Sequence, residues 1–239
     1  MKAKPPRKTK PNRFGGRATA GGVNYEVRVA ALIAVHMLAG DRCTIWEGVG
    51  GDAIGSLTLQ SNDAVDDIVA TLQSLGSRAF IQAKDRANAI ALTKRSKAFV
   101  ETIAACVDQF LKLAPTDRTG SRFLWIVPST AGRALTNILL EALDSHRKNA
   151  SDSLLADFLR HRNSIERKAL RALVSTVSES WRQHAGSEPA EDKLREFLRM
   201  LHVEVYDFGR GNHHETLWLL ADRRAAISTL KKGGVFVVL

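Results

Sequence analysis

Apolar residues recur almost without a break from Tyr25 to Leu38, which predicts a helix over 24–39 that is buried on most sides, with Asn24 as N-cap and Gly40 as terminator. A short strand is expected over 43–46. A glycine-rich turn through Gly48, Gly50 and Gly51 follows, then a polar connection ending at Ala64. The pattern next changes to that of strands, over 67–72 and 78–84. The turn Gln73-Ser74-Leu75-Gly76-Ser77 between them fits an antiparallel hairpin. Phe99, Ile103, Val107, Phe110 and Leu111 restore helical spacing over 94–113, and the run 123–127, between Gly120 and Pro128, has the profile of a buried strand. From Ala131 onward helices dominate, over 135–147, 154–160, 165–184 and 190–201, with Gly186 and Pro189 marking a break. Strands are expected over 203–208, 216–221 and 235–239. The class is α/β. It divides into an arm at 1–20, an α/β core at 21–130, and a mainly helical extension with terminal strands at 131–239.

Charge sharpens this division. The formal net charge is +10, and residues 1–17 hold Lys2, Lys4, Arg7, Lys8, Lys10, Arg13 and Arg17 with no acid. Most of the excess therefore lies in the arm, whose prolines and scarce apolar residues predict a disordered tail suited to tethering a polyanion. No apolar run directly follows these charges as a secretory signal requires, and none approaches membrane-spanning length. Cys43 and Cys106 are far apart and not grouped with histidines, which excludes a thiolate zinc site and a disulfide framework. A cytoplasmic protein without membrane association is the expectation.

The candidate chemistry lies on the hairpin. Alternation along 78–84 puts Phe80, Gln82 and Lys84 on one face, so an amide and an ammonium emerge at the end of an apolar strand. The ammonium there calls for a carboxylate, and the hairpin returns Asp66 and Asp67 to it. Asp67 directly precedes the apolar Ile68-Val69 pair and is preferred; Asp66 caps the turn or shares a metal. Oxygen ligands for a hard divalent ion, a water and a cation to orient it are what phosphodiester hydrolysis needs. Glu26 stands at the head of a stripe with Ala30, Ile33 and Met37, and is either an inward ligand or an exposed first-turn acid. Arg86, Lys94, Arg95 and Lys97 form a basic stretch into the next helix, a natural contact for a phosphate backbone, as are Arg13 and Arg17 of the arm.

Gly22-Val23-Asn24-Tyr25-Glu26, then Asp66-Asp67-Ile68-Val69, then Ile81-Gln82-Ala83-Lys84, in this order, resembles the PD-(D/E)xK restriction-endonuclease-like superfamily. The nearer likeness is to its Mrr-like and bacterial antiphage-effector branches, whose motif often reads Gln-x-Lys. The resemblance covers about residues 21–130. It implies a central mixed sheet flanked by helices, in which Glu26 and Asp67 bind Mg²⁺ or Mn²⁺, Gln82 assists through its carbonyl, and Lys84 orients the attacking water. Gln82 departs from the acidic residue of the superfamily's name. The implied activity is cleavage of double-stranded DNA with low sequence specificity, as the effector of an antiphage defence system.

Two alternatives stand beside the enzyme: a noncatalytic DNA-binding module, and a protein-interaction domain on a degenerate nuclease fold. The apolar ending 235–239 suits an excised domain, a homo-oligomer, or further domains or subunits of a defence complex. The cluster Gly211-Asn212-His213-His214-Glu215 reads as a turn, because adjacent histidines diverge and no third ligand is suitably spaced. Trp181 and Trp218 read as packing aromatics that do not cluster.

Overall fold

The computed structural model describes residues 20–40, 53–65, 67–73, 77–84, 92–93, 96–148 and 163–206. The expected strands at 43–46, 216–221 and 235–239, the helix at 154–160, the arm with Arg13 and Arg17, and Asp66, Arg86, Lys94, Arg95, His213, His214 and Trp218 lie outside these residues.

In chain order the elements are α1 (Ala20–Ala39), β1 (Ile54–Leu59), β2 (Ile68–Leu72), β3 (Arg78–Ala83), α2 (Lys97–Lys112), a short α3 (Pro115–Arg118) and β4 (Arg122–Val127). A π-helical segment (Ala134–Leu139) runs into α4 (Leu140–Lys148), followed by α5 (Ser164–Ala185), α6 (Glu191–Met200) and β5 (Leu201–Val205). The strands form one mixed sheet in the order β1-β2-β3-β4-β5. β1, β2 and β3 are antiparallel neighbours, whereas β4 and β5 run parallel to β3. Parallel neighbours need crossovers, and the helices between them supply these on the sheet's faces. The result is an α/β fold with a mixed, open sheet between helical layers.

The alternation of β3 and β4 divides the core. Ala79, Ile81, Ala83, Leu124 and Ile126 face α1, where Tyr25, Val29, Leu32 and Ile33 meet them. Phe80, Phe123, Trp125 and Val127 face α2, α5 and α6. On this second side aromatic rings do cluster, contrary to expectation: Phe123 lies 5.6 Å from Phe80 and 5.8 Å from Phe197, and Phe197 continues through Phe110 to Trp181. Sequence spacing hides this because the rings come from β3, α2, β4, α5 and α6. The packing role read for Trp181 is what the fold shows, as it is 6% exposed.

Four further details differ from the sequence reading. The polar connection expected up to Ala64 contains β1, an edge strand that buries Ile54 and leaves most of its other side chains in contact with solvent. α1 begins at Ala20, so Asn24 lies within it and is not its cap; Gly21 and Gly22 are weak helix formers but not stop signals. Gly40, at φ +65°, does end that helix. Nor is α1 buried on most sides, since Val27 is 56% exposed. Finally, α6 passes into β5 at Met200–Leu201 with no Gly or Pro between them, where the pattern predicts helix up to 201. β5 pairs with β4 from Phe123↔Leu201 to Val127↔Val205, so residues 201–205 belong to the same sheet.

Candidate functional site

The hairpin brings Asp67 and Lys84 together. β2 and β3 pair from Ile68↔Ile81 to Thr71↔Arg78, which sets Asp67 just before β2 beside the residues that end β3. Asp67 Oδ2 accepts the backbone N–H of Ala83 at 3.0 Å and the Lys84 ammonium at 3.1 Å. The Asp67 side chain is 12% exposed and that of Lys84 32%, so the pair sits at a partly dry edge. Hydrogen bonds to a charged group contribute about 1.5–3 kcal/mol each, enough to hold the carboxylate in one rotamer. Both side-chain hydrogen bonds of Asp67 among the described residues fall on Oδ2, and Oδ1 has none.

Gln82 follows the same alternation. It lies opposite Trp125 in the β3–β4 ladder, on the face covered by α2, and is 6% exposed. Two buried polar atoms on this side, Trp125 Nε1 and Thr102 Oγ1 of α2, have no hydrogen-bond partner. One helical turn beyond Thr102, burial pushes the Cys106 thiol up to about 12, with the Lys84 ammonium acting weakly in the opposite direction. Cys106 is therefore a neutral packing group.

The loop leading to Asp67 has its own latch, which the sequence did not reveal. Gln109 of α2, 3% exposed, accepts the Ala64 N–H at Oε1 (2.8 Å) and donates from Nε2 to Asp63 Oδ1 (3.3 Å). Val65, fully buried, and the Gln60 N–H bond to Asp67 O (3.1 Å) fix the rest of this approach. The available signal was a Gln in the middle of an apolar helical stripe, where an amide needs partners.

Glu26 lies on α1, in the layer on the face of the sheet opposite to Gln82. Tyr25 Oη donates to Tyr206 O at 3.0 Å, and Tyr206 N–H bonds Val127 O, so this part of α1 lies over the strand ends where Lys84 emerges. Ala30 and Ile33 of its stripe are buried and Met37 packs beside them, whereas Glu26 is partly exposed on the flank. Lys97 is exposed at the start of α2 and pairs with Glu101 at 3.5 Å.

The donors present suit a hard cation: a carboxylate oxygen without a partner, a nearby amide, and a lysine already placed beside them. Among the described residues no three His, Cys, Asp or Glu side chains converge on one metal-sized space. No described helix is long and apolar enough to cross a membrane. Comparison of the chain with known protein families, curated proteins and solved structures gave no match.

Proposed function

We propose that the chain is a metal-dependent endonuclease of the PD-(D/E)xK kind, acting on double-stranded DNA with little sequence specificity, as an effector of antiphage defence. The observation that carries this reading is the Asp67–Lys84 pair at 3.1 Å, with Gln82 one alternation away on the same strand face. The element order supports it: a helix, three antiparallel strands, a helix, and a strand parallel to the third make a scaffold compatible with the restriction-endonuclease core.

The role of each residue follows from its chemistry. The Asp67 carboxylate is held still through Ala83 N–H and Lys84, both bonded to Oδ2. Asp67, with Glu26 and the Gln82 amide oxygen, would hold Mg²⁺ or Mn²⁺, which supplies Lewis acidity and charge neutralisation at the phosphate. Lys84 orients the attacking water and offsets charge growing on the phosphate oxygens. A single firm carboxylate is compatible with Mg²⁺, which keeps several waters and takes further ligands from substrate phosphates.

The test is cleavage of plasmid DNA by the purified full chain with Mg²⁺. Lys84→Ala is expected to reduce the rate by about 10²–10³-fold while the far-ultraviolet circular dichroism stays native. Equal cutting by both proteins would remove Lys84 from the mechanism. DNA binding that falls steeply with salt, with no cutting under any divalent ion, would instead establish the noncatalytic module.

A further inference from the structure

The opposite end of the sheet has a different character. β4 begins there with Arg122, α6 runs there into β5, and a cleft of about 470 Å³ opens beside them. Arg122 is opposite Ala79 in the ladder, and Lys84 follows Ala83, so roughly 16 Å of strand separates this cleft from the Asp67–Lys84 site.

Four guanidinium groups line the cleft, from Arg118, Arg122, Arg195 and Arg199, against two carboxylates, Asp192 and Glu196. Among the described residues neither acid forms an ion pair with Arg195 or Arg199. Glu196 is shared between Lys193 at 2.9 Å and Arg118 at 3.8 Å, and Asp192 is exposed. The Nε–H groups of Arg118, Arg195 and Arg199 are buried without a hydrogen-bond partner. Like charges crowded into a cleft repel, and an anion held there would relieve that repulsion.

The walls fix these arginines. The Arg118 guanidinium lies 4.2 Å from the centre of the Phe110 ring, which holds its plane against the aromatic core. Arg122 donates to Ser121 O at 2.8 Å. Arg195 and Arg199 sit four residues apart on α6 and share one face. Two neighbouring imidazoles sense the field. Burial, then Arg147 and Arg122, hold His202 down to about 3; burial and then Arg199 lower His146.

We propose that this cleft binds a small phosphate-bearing ligand of nucleotide size, gripped through its phosphate by Arg118, Arg122, Arg195 and Arg199. Guanidinium forks match phosphate oxygens two by two, which lysines do not. Among the described residues the lining carries more guanidinium groups than carboxylates, as a phosphate ligand requires, and the volume lies within the range of small-molecule pockets. The assignment is independent of the nuclease reading.

Isothermal titration of the full chain in phosphate-free buffer with three probes, inorganic phosphate, ATP and a short DNA duplex, tests it. ATP is expected to bind in the micromolar range and to be competed by inorganic phosphate. Arg195→Ala and Arg199→Ala should each weaken it about tenfold or more, with Arg199→Lys falling between. Asp192→Asn, a change at an exposed rim position that leaves the arginines in place, should tighten ATP about two- to threefold by removing a repelling charge. No binding of ATP or phosphate at about 1 mM, or binding indifferent to all these substitutions, overturns the proposal. Duplex binding that depends on Arg195 and Arg199 without ATP binding overturns it too, and makes the cleft a nucleic-acid backbone contact. Should the alanine variants fail to fold, the absence of any tightening in Asp192→Asn is sufficient to overturn it.

Discussion

The two ends of the β3–β4 ladder handle charge in opposite ways. At the Lys84 end one ammonium meets one carboxylate, and a backbone amide completes the contact. At the Arg122 end guanidinium groups outnumber acids, and several of their donors have nothing to bond. The first arrangement is close to neutral and can accept a cation at a single oxygen; the second is cationic and suited to an anion. A sheet whose interior is mostly apolar gives these ends little dielectric relief, so local partners or a ligand at each end count for more than they would in water. The polarity of a parallel pair makes the separation possible: both strands expose their starts at one end and their finishes at the other.

The strongest way to break this comparison is through the core that both ends share. Phe123 touches Phe80 on the strand leading to Lys84 and Phe197 on the helix carrying Arg195 and Arg199. Phe123→Ala should lower stability by about 3–5 kcal/mol, read as a shift of the urea midpoint. If the two ends belong to one cooperative unit, amides at both lose exchange protection together; loss at one end alone would show that they unfold separately.

A smaller and more local change acts at the arginine end. Gly120 has φ +90°, and a side chain there would run into the Ser77 hydroxyl, whose residue closes the β2–β3 turn through Leu72 N–H to Ser77 O. Gly120→Ala should cost about 1–3 kcal/mol in thermal or urea unfolding, and anion affinity at the cleft it lines should fall with it. Unchanged stability would mean that the turn before β4 accepts a side chain despite its backbone angle.

The gentlest discrimination uses pH, because the two ends titrate in opposite directions. The folded His202 resists protonation down to about 3, against 6.5 for the unfolded residue, so the unfolded state binds the extra proton in between. Stability should therefore fall as pH drops from about 6.5 toward 3, and His202→Gln should flatten that limb. Cys106 beneath Lys84 keeps its proton up to about 12, against 9.0 when unfolded. Stability from this group is intact below pH 9 and declines as pH rises from there, and Cys106→Ala should remove that part of the alkaline loss. Unfolding midpoints across the pH range check both, and an alkaline limb unchanged by Cys106→Ala would count against the buried thiol.

What could be read from the sequence was local. The hairpin, its five-residue turn and the parity of Phe80, Gln82 and Lys84 follow from alternation, and the structure places Lys84 against Asp67 as that parity requires. β1 was not legible because a largely exposed outer strand shows no apolar alternation: Gly55, Ser56 and Thr58 occupy positions a central strand gives to Val or Ile. The onset of β5 was hidden because Leu201 and Val203 continue the apolar face of α6. The arginine cleft lay further out of reach. Arg118 and Arg122 are more than 70 residues from Arg195 and Arg199, and tertiary contacts, the β4–β5 pairing and the packing of Phe197 on Phe123 among them, bring them together. The i, i+4 spacing of Arg195 and Arg199 was visible, but alone it describes any solvated helix face.

The hydrogen bond from Ala83 to Asp67 has one more consequence. That amide proton ends on a side-chain carboxylate, not on a strand carbonyl, so it forms an added rung built from a functional group. Its nuclear magnetic resonance frequency follows the charge on Asp67 directly. Mg²⁺ arriving at Oδ1 would draw electron density from the shared carboxylate and move the Ala83 signal, even in a variant that cuts nothing. If the proposed cation binds there, the backbone of β3 would report its occupancy spectroscopically, separately from any turnover.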